Sequence, residues 1–496
     1  YAHQLRFTFR LAFRRSSSSL YYCDQNTIGN GSLLGSGDSW RADRDETCEF
    51  CSGQTIADTG FRCTDYSSSE DWSVGENNFT HTFSADTTWI VSYTDCCWTS
   101  LQSSMGYQDG PFRISTKVTL TQRLDNGRIN SSPVSRSPAI IRWSEGCSRS
   151  LRIPVEDGDG DVVKCRYAND FESLIYDSFP HGILDEKTCL LSYNGNNGTA
   201  GTYVVALTLE DFPAGTTNFD GVTPFSSVGL QFLVIISSYS GSCSNVSVFS
   251  PLTPNDGECT EVQIGSMYRA VIEVTLVDVS KRIVEIVTAS PPGMHLTPLS
   301  ERSGVHYRNV TWYPNQNQVG QQSFCFKAVD SSGMGTEWRC VTILVGISNT
   351  PRVILGSQTT QSPPNNSEPG YVWWSIQFDR AIKKPRTSSY IRLVLLPSGH
   401  TVHKVDALSQ FVIINSDLTT LQFAMPYAAL SMNSSYAILM DRGAVVGQGC
   451  SYGGPPTPGI TNTSDWQFTA GFCPVGYTLA PPDFSNCVGT YILVSF

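Results

Sequence analysis

The sequence predicts an all-β protein built of tandem β-sandwich modules that are stabilised by disulfides. Short runs of β-branched and aromatic residues are separated by Gly, Pro, Asn and Ser, and apolar residues at helical spacing are nearly absent. The 16 cysteines are an even number, and only Cys48 and Cys51 form a CxxC pair, so a disulfide framework is favoured over a zinc site. A length of 496 residues predicts several domains.

Composition and charge exclude two classes of protein. The net charge is -11 and the 33 Lys and Arg residues are scattered, which argues against a nucleic-acid binder. We expect no membrane span, because no stretch reaches the roughly 18 apolar residues that one requires.

We also expect a secreted chain, and since no signal peptide is visible at Tyr1, we take the sequence as a mature or processed fragment.

Sequons for N-glycosylation are spread over the whole chain and favour an extracellular glycoprotein carrying N-linked glycans. The candidate acceptors are Asn30, Asn78, Asn130, Asn197, Asn245, Asn309, Asn365, Asn433 and Asn462.

The first predicted module, residues 1–132, is a cysteine-rich β module. It opens with "LRFTFRLAFRR", in which Leu5, Phe7 and Phe9 share one face of an amphipathic strand. Six cysteines follow. We expect neighbouring Cys96 and Cys97 to bond to different partners, because adjacent residues of a strand face opposite ways.

The second and third modules, residues 133–245 and 246–348, show the strand spacing of sandwiches of about 100 residues. "DVVKCRYA" and "GTYVVALTLEDF" belong to the second module, and "YRAVIEVTLVD" belongs to the third. The stretch from Val319 to Val345 predicts a final hairpin, across which Cys325 and Cys340 are disulfide candidates.

The fourth module, residues 349–472, contains "YVWWSIQFDRAI", and residues 473–496 follow it as a short C-terminal segment. Trp373 and Trp374 are adjacent, so in a strand one of them faces outward. That side chain either stacks on a sugar or partner, or is covered by a neighbouring domain, which we favour. Cys473 and Cys487 are candidates for a further disulfide.

Several segments resemble known extracellular families. "VEDGDGD" and "KAVDSSG" resemble the acidic turns of Ig-like or cadherin-like repeats, and "IQFDRAIKK" with "DWQFTAGF" resembles a bacterial-type Ig-like domain. The "CPVGY" that begins at Cys473 resembles the end of an EGF module. "TGFRCTDYSSSEDWSVGENNFTHTF" resembles the amino-terminal part of large marine-invertebrate proteins with EGF-like or integrin-β-like labels. These resemblances imply a multi-module extracellular glycoprotein and no particular activity.

The turn "EDGDGDVV" offers a candidate metal site. Asp157, Asp159 and Asp161 alternate with glycines, and calcium prefers several carboxylate and carbonyl oxygens. Glu156 is a further candidate ligand. The segment is not an EF-hand, because a strand begins at Val162. A tight turn that simply favours Asp and Gly is the preferred interpretation, and a Ca²⁺ site is the alternative.

Catalytic motifs are missing from the sequence. There is no G-x-S-x-G, and "GSGDSW" has the letters of a serine-protease motif in the wrong order. His400 and His403 do not form a metal-binding pattern. We therefore expect that the protein is not an enzyme. We also expect no cofactor other than the candidate Ca²⁺ ion and the N-linked glycans.

The chain end "TYILVSF" is short, apolar and strongly β-forming, so it needs a partner strand. We predict a secreted structural or adhesive glycoprotein that assembles head to tail, with Tyr491, Ile492, Leu493 and Val494 as the assembly strand. Leu5, Phe7 and Phe9 are the second choice, although we expect their strand to complete its own sheet. The alternative is a lectin-like or receptor-like ectodomain that binds glycan or another extracellular protein.

Overall fold

The structure is a computed structural model. It describes residues 3–44, 53–83, 87–103, 106–108, 110–124, 127–175, 177–213, 216–238, 243, 247–333, 335–361, 371–431, 433–447, 450, 454–470, 477–480 and 486–489.

Strands dominate the described residues, and helices are few and short. The helices are α1 (Gln25–Asn30) and α2 (Asp170–Ser173), with 3-10 turns at Ser19–Tyr21, Gln316–Gln318, Tyr427–Ala429 and Thr463–Asp465. In the part of the chain that the structure describes, no helix is long and apolar enough to span a bilayer.

The strands of the first half of the chain are β1 (His3–Arg14), β2 (Leu33–Leu34), β3 (Ser39–Asp43), β4 (Gln54–Asp58), β5 (Phe61–Ser67), β6 (Trp72–Phe83), β7 (Thr88–Asp95), β8 (Leu101–Ser103), β9 (Gly106–Gln108), β10 (Phe112–Thr119), β11 (Val134–Ser135), β12 (Ile140–Ser144), β13 (Arg149–Arg152), β14 (Val155–Glu156), β15 (Val162–Tyr167), β16 (Gly182–Asp185), β17 (Leu190–Tyr193), β18 (Gly201–Phe212), β19 (Ser226–Ser237) and β20 (Val248–Phe249).

The strands of the second half are β21 (Cys259–Val262), β22 (Tyr268–Thr275), β23 (Ile283–Ala289), β24 (His295–Leu296), β25 (Ser300–Arg302), β26 (Val305–Trp312), β27 (Gly320–Asp330), β28 (Arg339–Val345), β29 (Thr359–Gln361), β30 (Tyr371–Gln377), β31 (Ile382–Lys383), β32 (Tyr390–Leu396), β33 (His400–Asp406), β34 (Val412–Ile414), β35 (Thr420–Pro426), β36 (Ser435–Met440), β37 (Val446–Gly447), β38 (Gln467–Thr469), β39 (Tyr477–Ala480) and β40 (Asn486–Gly489).

The chain divides into two compact units. The first contains residues 1–257 and 262–345, and the second contains residues 258–261 and 346–496.

The amino-terminal sheet of the first unit has the order β1-β6-β5-β2. Strand β1 pairs antiparallel with β6 over its whole length, from His3 opposite Phe83 to Arg14 opposite Trp72. Gly75 on β6 has no room for a side chain, because a Cβ there would lie 2.1 Å from the carbonyl oxygen of Arg62 on β5. The segment with alternating apolar residues is therefore a strand. Its apolar face packs into a core that includes Phe61, Phe83 and Tyr93.

A larger sheet joins the first two predicted modules. Its main path is β15-β18-β19-β10-β7-β3-β4, with β12 parallel to β19. Strand β10 pairs with β7 on one side and with β19 on the other, so this sheet crosses the boundary predicted between residues 132 and 133. Strand β18 is buried along most of its length because sheet neighbours and core residues cover both of its faces.

The third predicted module is a sandwich. One sheet has the order β20-β22-β26-β24, with β25 also on β26, and the facing sheet contains β28, β27 and β23. The two sheets enclose a core with Ile272, Phe324, Phe326 and Trp312.

Residues from all three of these modules pack into one further cluster in the first unit. Trp72 and Val74 come from the first module, and Val287 and Val329 come from the third, with Ile140 of the second packed against them. The three segments therefore share apolar contacts instead of meeting only through linkers.

The second unit contains two four-stranded sheets, β29-β30-β35-β34 and β33-β32-β36-β38, and the two-stranded pairs β31-β37 and β39-β40. Its core includes Trp374, Phe423, Tyr436 and Ile438. The fold class predicted from the sequence, all-β with tandem sandwich modules stabilised by disulfides, is confirmed.

The disulfides formed by described residues are Cys23–Cys63, Cys96–Cys97, Cys147–Cys243, Cys165–Cys189, Cys259–Cys450 and Cys325–Cys340. The expectation that Cys96 and Cys97 bond to different partners was wrong. Strand β7 ends at Asp95, so the two cysteines follow the strand and its alternation does not govern them.

Candidate functional site

The acidic turn lies between β14 and β15 and is organised by one carboxylate. Oδ1 of Asp157 accepts hydrogen bonds from the backbone N–H groups of Asp159 and Asp161, at 2.9 Å each. Gly160 has φ +80°, a left-handed conformation that glycine adopts without strain. The backbone of this segment is therefore a tight turn, as the interpretation preferred from the sequence expects.

Three carboxylates gather beside this turn. One oxygen each of Asp157, Asp161 and Asp211 lies within 4.8 Å of the others. Asp211 comes from the end of β18, which pairs with β15. Its side chain is fully buried, and its Oδ1 accepts hydrogen bonds from the backbone N–H and the hydroxyl of Ser226.

The structure separates the other two candidate ligands from this group. Asp159 is more exposed, and its Oδ2 accepts a hydrogen bond from the backbone N–H of Ser131 at 2.7 Å. Glu156 is buried, and its carboxylate accepts a hydrogen bond from the hydroxyl of Thr342. Neither joins the three-carboxylate cluster.

An arginine and an asparagine complete the surroundings. The guanidinium of Arg123 donates from both terminal nitrogens to Asp161, with Nη2 2.8 Å from Oδ1. It also lies 3.4 Å from Asp159 and 4.0 Å from the ring centroid of Phe225. Asn130 accepts a hydrogen bond from Arg123 and donates from Nδ2 to Asp211 at 2.5 Å.

Burial disfavours the ionised form of two carboxylates of the cluster, those of Asp157 and Asp211. Burial, together with the nearby charges of Asp211 and Asp161, raises the pKa of Asp157 to about 7, although hydrogen bonds from the backbone N–H groups of Asp161 and Asp159 oppose the rise. Burial also raises the pKa of Asp211 above its usual value.

Sequence reasoning missed Asp211, Arg123 and Asn130 as neighbours of the turn. Arg123 and Asn130 precede β11, and Asp211 stands about 50 residues after the turn. They meet through strand pairing between distant segments, for which the local sequence carries no signal.

The sequon asparagines are mostly exposed where the structure describes them. This holds for Asn30, Asn78, Asn197, Asn309, Asn433 and Asn462. Asn130 differs, because it is partly buried. Its Nδ2, the nitrogen that would carry the glycan, already donates a hydrogen bond to Asp211. Asn245 and Asn365 lie outside the described residues. Glycosylation itself stays a prediction at every site.

The two cysteine pairs named from the sequence have different outcomes. Cys325 and Cys340 lie directly opposite each other on β27 and β28 and are bonded. Cys473 lies outside the described residues, and of Cys487 only the backbone, in β40, is described.

The turn at Asp330 differs from the acidic turn. Asp330 accepts hydrogen bonds from the backbone N–H and hydroxyl of Ser332, and the ammonium of Lys281 lies 3.4 Å away. It therefore acts as the turn residue that the sequence predicts.

The strands predicted to form an assembly contact are only partly described. Tyr491, Ile492, Leu493 and Val494 lie outside the described residues. The strand of Leu5, Phe7 and Phe9 is β1, which completes its own sheet through β6. It is nevertheless one of the two edge strands of that sheet among the described strands.

Neither tryptophan of the adjacent pair on β30 is available for stacking on a ligand. Trp373 is 6% exposed and Trp374 is 2% exposed. Both side chains are covered, as the interpretation favoured from the sequence expects for the outward one, so stacking of an exposed Trp on a sugar or partner finds no support.

Residues 2–121 match the protein-family model described as "Integrin beta-like protein A-E, N-terminal". This match agrees with the integrin-β-like resemblance of the first segment. The chain is 24% identical over 311 residues to integrin beta-like protein A of Dictyostelium discoideum, covering 57% of this chain and 16% of that protein. It is 21% identical over 369 residues to integrin beta-like protein C of the same organism, covering 69% of this chain and 18% of that protein.

The chain therefore spans less than a fifth of the length of these two relatives. The matches come from Dictyostelium discoideum, and neither a marine-invertebrate origin nor an EGF-like end finds support in them. Among solved structures, the N-terminal Ig1-2 module of the Drosophila receptor protein tyrosine phosphatase DLAR is 12% identical and covers 44% of this chain and 100% of that chain. Its TM-score of 0.16 is too low to carry an argument.

Proposed function

We propose that this chain is part of an adhesive extracellular glycoprotein, secreted or displayed on a cell surface, and that copies of it join through β-strand contacts. The match of residues 2–121 to the integrin beta-like N-terminal family supports the adhesive role. The disulfides support an oxidising, extracellular location, because such bonds persist there.

The position of β1 carries the assembly part of the proposal. This strand is 12 residues long and stands at the end of the sheet order β1-β6-β5-β2, so its outer backbone edge faces no strand among those described. A long open edge is a template for an added strand. A second chain would extend the sheet by backbone hydrogen bonds, and the apolar segment Tyr491–Phe496 is the strand proposed to do so.

A peptide competition tests this joint directly. The glycosylated chain of residues 1–496, at micromolar concentration, is examined by negative-stain electron microscopy and sedimentation velocity, with and without a synthetic peptide of sequence TYILVSF. Filaments or oligomers are expected without the peptide. They should shorten with it, because the peptide occupies the edge that the neighbouring chain needs.

The matched control is a peptide of the same length in which Leu493 and Ile492 are replaced by proline, since proline cannot donate to a strand ladder. It should leave the assemblies unchanged. Isolated monomers in the absence of any peptide would contradict self-assembly and would favour an ectodomain that binds another protein or a glycan.

A further inference from the structure

We propose that Asp157, Asp161 and Asp211 bind one calcium ion, and that the site clamps the acidic turn onto the end of β18. The proposal concerns a metal site in the first unit and does not depend on self-assembly. It differs from the calcium site that the sequence offered as an alternative, because Asp211 replaces Asp159 and Glu156 as a ligand.

The separation of the oxygens suits calcium. One oxygen from each of the three carboxylates lies within 4.8 Å of the others. Calcium binds oxygens at about 2.3–2.6 Å, so two ligands of one ion can be up to about 5 Å apart. A single ion can therefore reach all three carboxylates with little movement of the backbone.

A buried oxygen without a partner is independent support for a ligand. Oδ2 of Asp157 is inaccessible to solvent and has no hydrogen-bond partner among the described residues, and Asp157 as a whole is 4% exposed. Its other oxygen already accepts two backbone N–H groups. A buried carboxylate oxygen without a donor is costly unless a cation or a proton satisfies it.

The balance of charge also favours a cation. Asp157, Asp159, Asp161 and Asp211 supply four carboxylates, and Arg123 supplies one guanidinium, which pairs with Asp161 and Asp159. Ionised Asp157 and Asp211 would then repel each other in a buried setting. A divalent ion would remove this repulsion.

The pairing of β15 with β18 brings the three ligands together. Asp157 and Asp161 flank the glycine-rich loop before β15, and Asp211 stands opposite Val163 of β15 on β18. The loop residues Gly158 and Gly160 are exposed, which gives a hydrated ion a path to the cluster. The remaining ligands of the ion are left to water and backbone carbonyls, as is usual for calcium.

Calcium binding is tested on the whole chain of residues 1–496 after treatment with chelator. Calorimetric titration with CaCl₂ should show one site with Kd of about 0.1–1 mM, the range of extracellular calcium modules. At 10 mM CaCl₂ the melting temperature should rise by about 2 °C. Asp211→Asn and Asp157→Asn keep the shape of the side chain, and each should abolish the titration heat and the rise in melting temperature.

Asp330→Asn is the matched control, because Asp330 is a buried turn aspartate that already has Lys281 as a partner. This variant should keep the calcium response of the wild-type protein. Absence of calcium heat in the wild-type protein up to 10 mM would overturn the proposal. An unchanged calcium response in both Asp211→Asn and Asp157→Asn would also overturn it. So would an equal loss of the calcium response in the control Asp330→Asn. If Asp211→Asn fails to fold, Asp157→Asn and the wild-type titration decide the question.

Discussion

Glu76 on β6 accepts hydrogen bonds from two arginines that belong to different predicted modules. Nε of Arg136 lies 2.7 Å from its Oε1, and Nη1 of Arg10 lies 3.0 Å from the same oxygen. Arg10 also pairs with buried Asp65, which accepts hydrogen bonds from Thr288 and Ser290. This charged network therefore links residues of the first, second and third modules.

We expect Glu76→Gln to lower the free energy of unfolding by about 3 kcal/mol, because it leaves the buried Arg136 without its carboxylate. Asp71→Asn is the matched control. It removes the carboxylate of the exposed Arg14–Asp71 pair and should cost less than about 1 kcal/mol. Urea unfolding of both variants measures the difference, and equal losses would contradict the role assigned to the network.

The carboxylate of Glu76 also predicts that the free energy of unfolding depends on pH. Burial alone would raise the pKa of Glu76, but Arg136 and Arg10 outweigh it and lower the pKa below its usual value. A depressed carboxyl pKa contributes stability above the unfolded pKa, and that stability is lost as the pH falls through the folded value. Wild-type stability should therefore decline below about pH 4, and the decline should be smaller in Glu76→Gln.

At the scale of elements, disulfides connect strands over very different chain lengths. Cys325 and Cys340 join neighbouring strands β27 and β28 across a separation of 15 residues. Cys147 and Cys243 join the segment after β12 to the segment after β19 across 96 residues. The longer loop has more conformational freedom to lose in the unfolded chain.

We expect the double replacement of Cys325 and Cys340 by alanine to cost about 3 kcal/mol of unfolding free energy. The double replacement of Cys147 and Cys243 should cost more, about 4–5 kcal/mol, because it opens the longer loop. Chemical denaturation under non-reducing conditions gives both values. A larger loss of unfolding free energy from replacing Cys325 and Cys340 than from replacing Cys147 and Cys243 would show that chain entropy does not explain the effect of these two bonds.

At the scale of the whole molecule, the first three predicted modules form one compact unit. A continuous sheet joins the first two through β10 and β19, and the cluster around Trp72 and Val287 includes the third. Units that share a sheet and a core unfold together, whereas modules joined only by linkers unfold separately.

Differential scanning calorimetry of the full chain should therefore show one transition for the first unit and one for the second. Glu76→Gln should shift the first-unit transition as a whole and leave the other in place. Separate transitions for the modules predicted at 1–132, 133–245 and 246–348 would contradict this cooperative unit.

The sequence was informative where structure depends on near neighbours. The alternation of Leu5, Phe7 and Phe9 predicted a strand, and β1 is that strand. The spacing of Cys325 and Cys340 within one hairpin identified two residues that the structure bonds. For Trp373 and Trp374 it predicted only that the two side chains lie on opposite faces of a strand, because alternation does not show what covers each face.

The sequence by itself determined that the chain is all-β, rich in cysteine and low in charge, because these properties follow from composition and from a two-residue period. Only the tertiary structure decided that Asp211 and Arg123 meet the acidic turn, and that three predicted modules form one unit. Both results depend on pairing between strands far apart in the chain. Such pairing is selected by packing of the whole sheet and by the burial of charge, and no short segment encodes it.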